Sequence, residues 1–214
     1  MKAVVVAHGE VLARDRDALA GAALVVAADG GSLTLDRWGV VPDLLVGDLD
    51  SVSSEKAAEL GRRGARIIPY PPQKDQSDLE LAMRHALESG ADDIVILGAF
   101  GGRLDHALAN VLLLADPAYR GVGIRAIQGE SQIRAAYGPS EMALRGPAGS
   151  LVTLLPVRAD ANGVRSRGLL YPLNRETLHF GRSRGLSNIV TSLPASVSLE
   201  SGVLLVIENA RVEE

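Results

Sequence analysis

The sequence predicts an α/β fold: a Rossmann-like parallel sheet with helices over residues 1–130, then an all-β domain over 131–214. Two observations carry this. In the first ~125 residues, continuous Val-, Ile-, Leu- and Ala-rich runs alternate with amphipathic segments, as strands buried on both faces alternate with crossover helices. After about Ser131 the long amphipathic patterns stop, and short strand-like pieces recur between Gly and Pro turns. A chain of 214 residues is also long enough for one large domain or two small ones.

Taken in order, the first-half strands are expected at 3–7, 24–28, 44–46, 66–69, 94–97 and 123–127. Helices are expected at 54–63, 77–87 and 103–115. In the second of these, Leu79, Met83, Ala86 and Leu87 share a face, and Ser77 with Glu80 makes a capping box. The third has Leu104, Ala107, Leu108, Val111, Leu112 and Ala115 on one stripe, which reads as a core-facing surface. Second-half strands are expected at 132–137, 142–144, 150–155, 169–171, 196–199 and 203–207. Their spacing is sandwich-like or barrel-like. The boundary falls near 128–137.

Composition narrows the function classes. Net charge is −4, with 47% hydrophobic and 22% charged residues, so the chain is globular rather than disordered. No positive field exists to gather phosphates of a nucleic acid. There are no cysteines, which excludes disulfides, thiolate metal sites and Cys nucleophiles and fits a reducing compartment. No apolar run approaches the roughly 18 residues a spanning helix needs, so a cytoplasmic protein without membrane partners is expected.

Ligands of open parallel sheets bind beyond the carboxyl ends of the strands. Those ends carry Asp29-Gly30-Gly31, then Gly47-Asp48-Leu49-Asp50-Ser51, then Lys74-Asp75-Gln76-Ser77-Asp78, then Gly101-Gly102-Arg103-Leu104-Asp105-His106. Six carboxylates directed to one rim repel unless a cation neutralises them, and all-oxygen ligands suit a hard ion such as Mg2+. Asp48 and Asp50, two apart on an extended segment, face one side. Asp75 and Asp78, which precede or open a helix, also complement its macrodipole. Arg103 runs against that dipole, and with the amides after Gly101 and Gly102 it makes an anion cradle. Lys74 is a second phosphate contact. No Gly-Lys-Ser/Thr follows the Gly-Gly pair, so this is not a P-loop. The combination points to phosphoryl or pyrophosphoryl transfer from a Mg2+-nucleotide.

These four motifs, in this order, resemble the thiamine pyrophosphokinases. The second half is similar too, in Gly168-Leu169-Leu170-Tyr171-Pro172-Leu173 and Gly185-Leu186-Ser187-Asn188. The resemblance implies an N-terminal α/β domain that binds ATP and Mg2+, a C-terminal β-sandwich that binds thiamine and dimerises, and a homodimer with its active site at the subunit interface. It implies transfer of the terminal diphosphate of ATP to the thiamine hydroxyl, giving thiamine diphosphate and AMP.

By the same resemblance, Asp48, Asp50 and Asp75 are the metal-facing acids, and with Asp78 and Arg103 they form the catalytic set. Asp29, Gly30, Gly31, Lys74, Gly101, Gly102, Arg103 and Asp105 serve ATP. Tyr171, Ser187 and Asn188 line the thiamine pocket. Tyr171 stands where the family often carries Trp, and Ser77 where Thr is usual. The competing readings are a pyrophosphokinase for another alcohol, such as a hydroxymethylpterin, and a non-catalytic nucleotide or thiamine sensor.

Overall fold

The computed structural model describes residues 1–209. They form two compact units, Met1–Leu113 with Gly121–Gly129, and Leu114–Arg120 with the chain from Glu130 onward.

The first unit is built on strands β1 (Lys2–Val6), β2 (Leu24–Ala28), β3 (Leu44–Gly47), β4 (Arg66–Pro69), β5 (Asp93–Leu97) and β6 (Gly123–Gln128). All pair in parallel, in the order β4-β3-β2-β1-β5-β6. Val4, Val5 and Val6 of β1 are fully buried, as are Ile94 to Leu97 of β5, which is why these strands read as unbroken apolar runs. The chain steps from β1 outward to β4, then returns to β5 on the other side. The sheet therefore changes winding direction between β1 and β5, where a crevice opens at the carboxyl ends.

Helices α1 (Gly31–Arg37), α2 (Ser54–Arg62), α3 (Asp78–Glu88) and α4 (Leu104–Leu113) complete this unit. The Ser77 side chain accepts from Glu80 N at 3.2 Å, the expected cap of α3. Leu79, Leu81, Ala82, Met83 and Ala86 of that helix are buried. α4 departs from expectation. It begins one residue after Arg103, and none of its residues is buried. Leu104, Leu108 and Leu112 are 73%, 56% and 59% exposed, so the leucines of the stripe face outward, while Ala107 and Val111 are partly buried and Ala115, past the helix end, is buried. α1, too short to show periodicity, and a 3-10 turn over Ala13–Leu19 were not expected.

In the second unit, β7 (Ser131–Tyr137), β8 (Ser140–Ala143), β9 (Leu151–Arg167), β10 (Asn174–Leu178), β11 (Asn188–Ile189), β12 (Ser196–Leu199) and β13 (Ser201–Asn209) pair antiparallel. β9 joins two groups. Its first half pairs with β13 and β11, and its second half with β10 and β12. The pairing with β13 shifts register beside Gly202, and Arg158 of β9 has φ +72°, so the strand bends where it changes partners. Val152, Leu154, Val164, Leu178, Val197, Leu204 and Val206, drawn from both groups, share one core. The expected strand at 150–155 thus continues to Arg167, through Pro156 and Gly163, residues that read as breaks. The expected strand at 169–171 is a single bridge, Leu169 to Val190.

Taken whole, the chain is a mixed sheet protein with helices.

Candidate active site

Past the carboxyl ends of β1, β2, β3 and β5 lies a cleft of about 530 Å³, lined by the turns after those strands and by the loop leading into α3. Each turn places one part. β2 is followed by Asp29, a non-glycine residue held at φ +42°, with Asp29 N donating to Val46 O at 2.8 Å. β3 ends in Gly47, at φ +148°, followed by Asp48. The loop after β4 supplies Lys74 and Asp78.

Ligand oxygens of Asp29, Asp48 and Asp78 lie within 4.8 Å of one another. Asp29 is 6% exposed, and its Oδ1 has no hydrogen-bond partner. A Cβ at Gly47 would lie 3.0 Å from both Asp29 Cβ and Asp78 Oδ1, so glycine keeps the space between these acids open.

Lys74 is the local counter-charge. Its Nζ is 3.0 Å from Asp48 Oδ2 and 3.1 Å from Asp78 Oδ1, with its side chain 10% exposed. The Lys74 hydrogen bond holds Asp48 below the ordinary carboxylate range. Burial pushes Asp78 above it, against the lowering effect of Lys74 and helped by the charges of Asp48 and Asp29. Burial alone would depress Lys74, but its bonds to Asp48 and Asp78 outweigh that and raise it. One ammonium against three carboxylates leaves an excess of negative charge. An unpartnered buried oxygen, a space kept open by glycine and an all-oxygen donor set fit a hard divalent cation.

The remaining expected residues are placed unevenly. Asp50 lines the cleft but is exposed, with Ser51 Oγ donating to it at 3.0 Å. Asp75 is exposed and is not among the cleft-lining residues. Gly30 and Gly31 are buried and do not line it either. A Cβ at Gly30 would strike the His8 ring, and one at Gly31 the Val6 carbonyl, so both permit close packing against the end of β1. Gly101, Gly102 and Arg103 line the cleft. Arg103 is 72% exposed, with Asp105 receiving its Nε at 3.1 Å and its Nη2 at 2.6 Å. That guanidinium holds Asp105 down at about 2. Asp105 Oδ1 also accepts from His106 N at 3.0 Å, so it occupies an amide of the first turn of α4.

Sequence reasoning passed over His8, Gly9 and Asn110, which also line the cleft. His8 and Gly9 follow β1, whose central place in the sheet makes its end part of the crevice. Asn110 donates to Ala99 O at 2.8 Å, tying α4 to the turn after β5.

In the second unit, Tyr171 is 57% exposed and Asn188 is 6% exposed. Asn188 Oδ1 accepts from Tyr171 N at 3.0 Å, and Asn188 Nδ2 donates to Tyr171 O at 2.7 Å. Ser187 has φ +53°, and its N–H donates to Thr153 Oγ1 at 3.1 Å.

Two family models match. Residues 16–126 match the thiamin pyrophosphokinase catalytic domain, and residues 141–204 match the thiamin pyrophosphokinase vitamin B1 binding domain. The chain belongs to the thiamine pyrophosphokinase family. It is 29% identical over 187 residues to a thiamine pyrophosphokinase of Bacillus subtilis, covering 87% of each chain. The crystal structure of thiamine pyrophosphokinase from Bacillus subtilis matches with a TM-score of 0.87 at 26% identity, over 99% of this chain and 100% of that one. A thiamin pyrophosphokinase family protein from Enterococcus faecalis matches with a TM-score of 0.86 at 26% identity, over 99% and 100%. Membership makes this chain a transferase of that family and disfavours the pterin and sensor readings, because the vitamin B1 binding model spans its second half.

Proposed function

We propose that this enzyme transfers diphosphate from ATP to the hydroxyl of thiamine, releasing AMP. The observation that carries the reading is the convergence of Asp29, Asp48 and Asp78 around an unpartnered buried oxygen at the carboxyl edge of a parallel sheet. In this reading the first unit is the Rossmann-like ATP domain. The second is a β-sandwich that binds thiamine, supported by the shared core of its two strand groups.

Asp29, Asp48 and Asp78 would hold Mg2+, which when bound neutralises the acids and the polyphosphate. This revises the expected metal set of Asp48, Asp50 and Asp75: only Asp48 is shared, with Asp50 an exposed lining residue and Asp75 exposed outside the cleft lining. Lys74 and Arg103 bind phosphate oxygens, beside the turn at Gly101 and Gly102. The bond that forms joins the hydroxyethyl oxygen to the β-phosphorus. The bond that breaks leaves its electron pair on AMP, and the hydroxyl proton passes to a cleft carboxylate. Positioning and charge stabilisation supply most of the rate.

Tyr171 gives thiamine an aromatic face, worth ~0.5–2 kcal/mol toward a cation. The exposed Leu104, Leu108 and Leu112 support a homodimer, with the active site at the subunit interface as in the resemblance. Among the described residues no helix is long and apolar enough to cross a membrane. With a cysteine-free chain, this supports a cytoplasmic location.

The test is incubation of the protein with ATP, Mg2+ and thiamine, followed by nucleotide analysis. AMP is the expected product. ADP, or AMP that appears only with a different alcohol, overturns the assignment.

A further inference from the structure

The exposed aromatic of Tyr171 sits on a backbone that is fixed by one side chain. The segment from Gly168 to Tyr171 runs beside residues 188–191. Leu170 N donates to Ile189 O at 2.8 Å, Thr191 N to Gly168 O at 2.7 Å, and Leu169 bridges Val190. At Tyr171 this ladder runs out of main chain. The Asn188 backbone is paired with Val152 of β9, and Pro172 has no N–H to offer. The Asn188 amide takes over, accepting from Tyr171 N at 3.0 Å and donating to Tyr171 O at 2.7 Å. Its Oδ1 also accepts from Ile189 N at 2.9 Å. Both lone-pair directions of that oxygen are used, and the residue is 6% exposed. One Nδ2 hydrogen is left over, on a side chain whose burial keeps it from a substrate.

We infer that Asn188 is a positioning residue that fixes the main chain of Tyr171, and that it does not contact thiamine. This rests on the reading of Tyr171 as the thiamine platform. It changes the part assigned to Asn188, from lining the pocket to holding rigid the residue that does.

A double-mutant cycle in the full-length enzyme tests this. Asn188→Ala leaves the Tyr171 N–H and C=O without their partner, and the KM for thiamine is expected to rise about tenfold, more than kcat or the KM for ATP. In a Tyr171→Ala background the same change should add less than about twofold, because no ring remains to be positioned. Effects that multiply, or no effect of Asn188→Ala, overturn the inference.

Asn188→Asp gives a second readout should the alanine variant fold poorly. Its carboxylate keeps an acceptor for Tyr171 N–H but sets an oxygen against Tyr171 C=O. Its KM should exceed the wild-type value at neutral pH, and the gap should close in acid, where a protonated carboxyl again donates. A carboxylate in direct contact with cationic thiamine would lower KM instead, which contradicts the inference. If the wild-type protein makes no AMP with thiamine, the functional reading falls and this inference with it. An active wild type whose two effects multiply removes the inference alone.

Discussion

Lys74 donates its ammonium to Asp48 at 3.0 Å, where a divalent ion would otherwise neutralise the same carboxylate. Its second ion pair, to Asp78 at 3.1 Å, makes it a resident cation inside the acid cluster. A metal ion must share these oxygens with the lysine or displace it toward the phosphates. Lys74→Met should therefore tighten Mn2+ binding to the nucleotide-free enzyme about tenfold or more by calorimetry, since an adjacent positive charge is gone. The same variant should need more ATP for half-maximal rate. Unchanged Mn2+ affinity would place the ion elsewhere.

The acids are ranked by geometry rather than by motif. Asp48→Asn removes a carboxylate from the converging set and should cut turnover at least about a hundredfold, the scale of losing a fixed group that stabilises charge in the transition state. Asp75→Asn changes an exposed residue outside the cleft lining and should cost less than about tenfold. Steady-state rates at saturating ATP and thiamine decide this. A larger loss from Asp75→Asn than from Asp48→Asn would restore the assignment made from sequence alone.

That ranking shows where sequence reading stopped. Parallel strands announce themselves through runs such as Ala3 to Ala7 and Ile94 to Leu97, and the rule that ligands sit at carboxyl ends then put Asp29, Asp48 and Asp78 at one rim. Which carboxylates converge depends on backbone turns, such as φ +42° at Asp29 and φ +61° at Leu49, that composition does not reveal. Gly30 and Gly31 were given to ATP by resemblance, and the structure shows a different reason for glycine there: a Cβ would strike the His8 ring or the Val6 carbonyl. The α4 leucines have the periodicity of a core helix, and periodicity reports an apolar face without saying what covers it. β9 was cut short because its bend, near Arg158 and opposite Gly202, resembles a loop.

Asp78 carries a stability cost in the ion-free protein. Its folded pKa is raised, mainly by burial, so the folded state holds that proton more tightly than the unfolded chain does. The contribution to stability is complete below the ordinary carboxyl value of 3.8 and is lost as pH rises through the folded value. Asp78→Asn should therefore raise the melting temperature of the metal-free protein at neutral pH, by ~2–4 °C per kcal/mol relieved. The gain should vanish below that ordinary value. A lower melting temperature at neutral pH would mean that the Lys74 pairing outweighs burial.

Arg103 and Asp105 form the exposed pair at the mouth of α4. The guanidinium keeps Asp105 ionised down to about 2, so the pair persists through any practical assay pH and contributes no acid limb to the rate profile. Arg103→Ala should raise the KM for ATP more than that for thiamine, because a phosphate loses its guanidinium. The reverse ordering would assign Arg103 to the acceptor.

The α4 stripe predicts association. Leu104, Leu108 and Leu112 fall at i, i+4 and i+8, one exposed face of a helix whose other face, with Ala107, Asn110 and Val111, is partly buried. Burying a leucine fully is worth roughly 1.5–3 kcal/mol, so three on one face are a strong incentive to pair. A second copy presents the same face, which makes a two-fold contact the simplest cover. Sedimentation equilibrium should give a dimer for the wild type and a monomer for Leu108→Asp, because the new carboxylate could enter the contact only by shedding its water. Since the stripe is exposed in the single chain, that monomer should melt as one folded species. If the active site lies at the subunit interface, as proposed, it should also lose most of its turnover. A monomeric wild type, or a monomeric variant with full activity, would show that one chain carries the whole site.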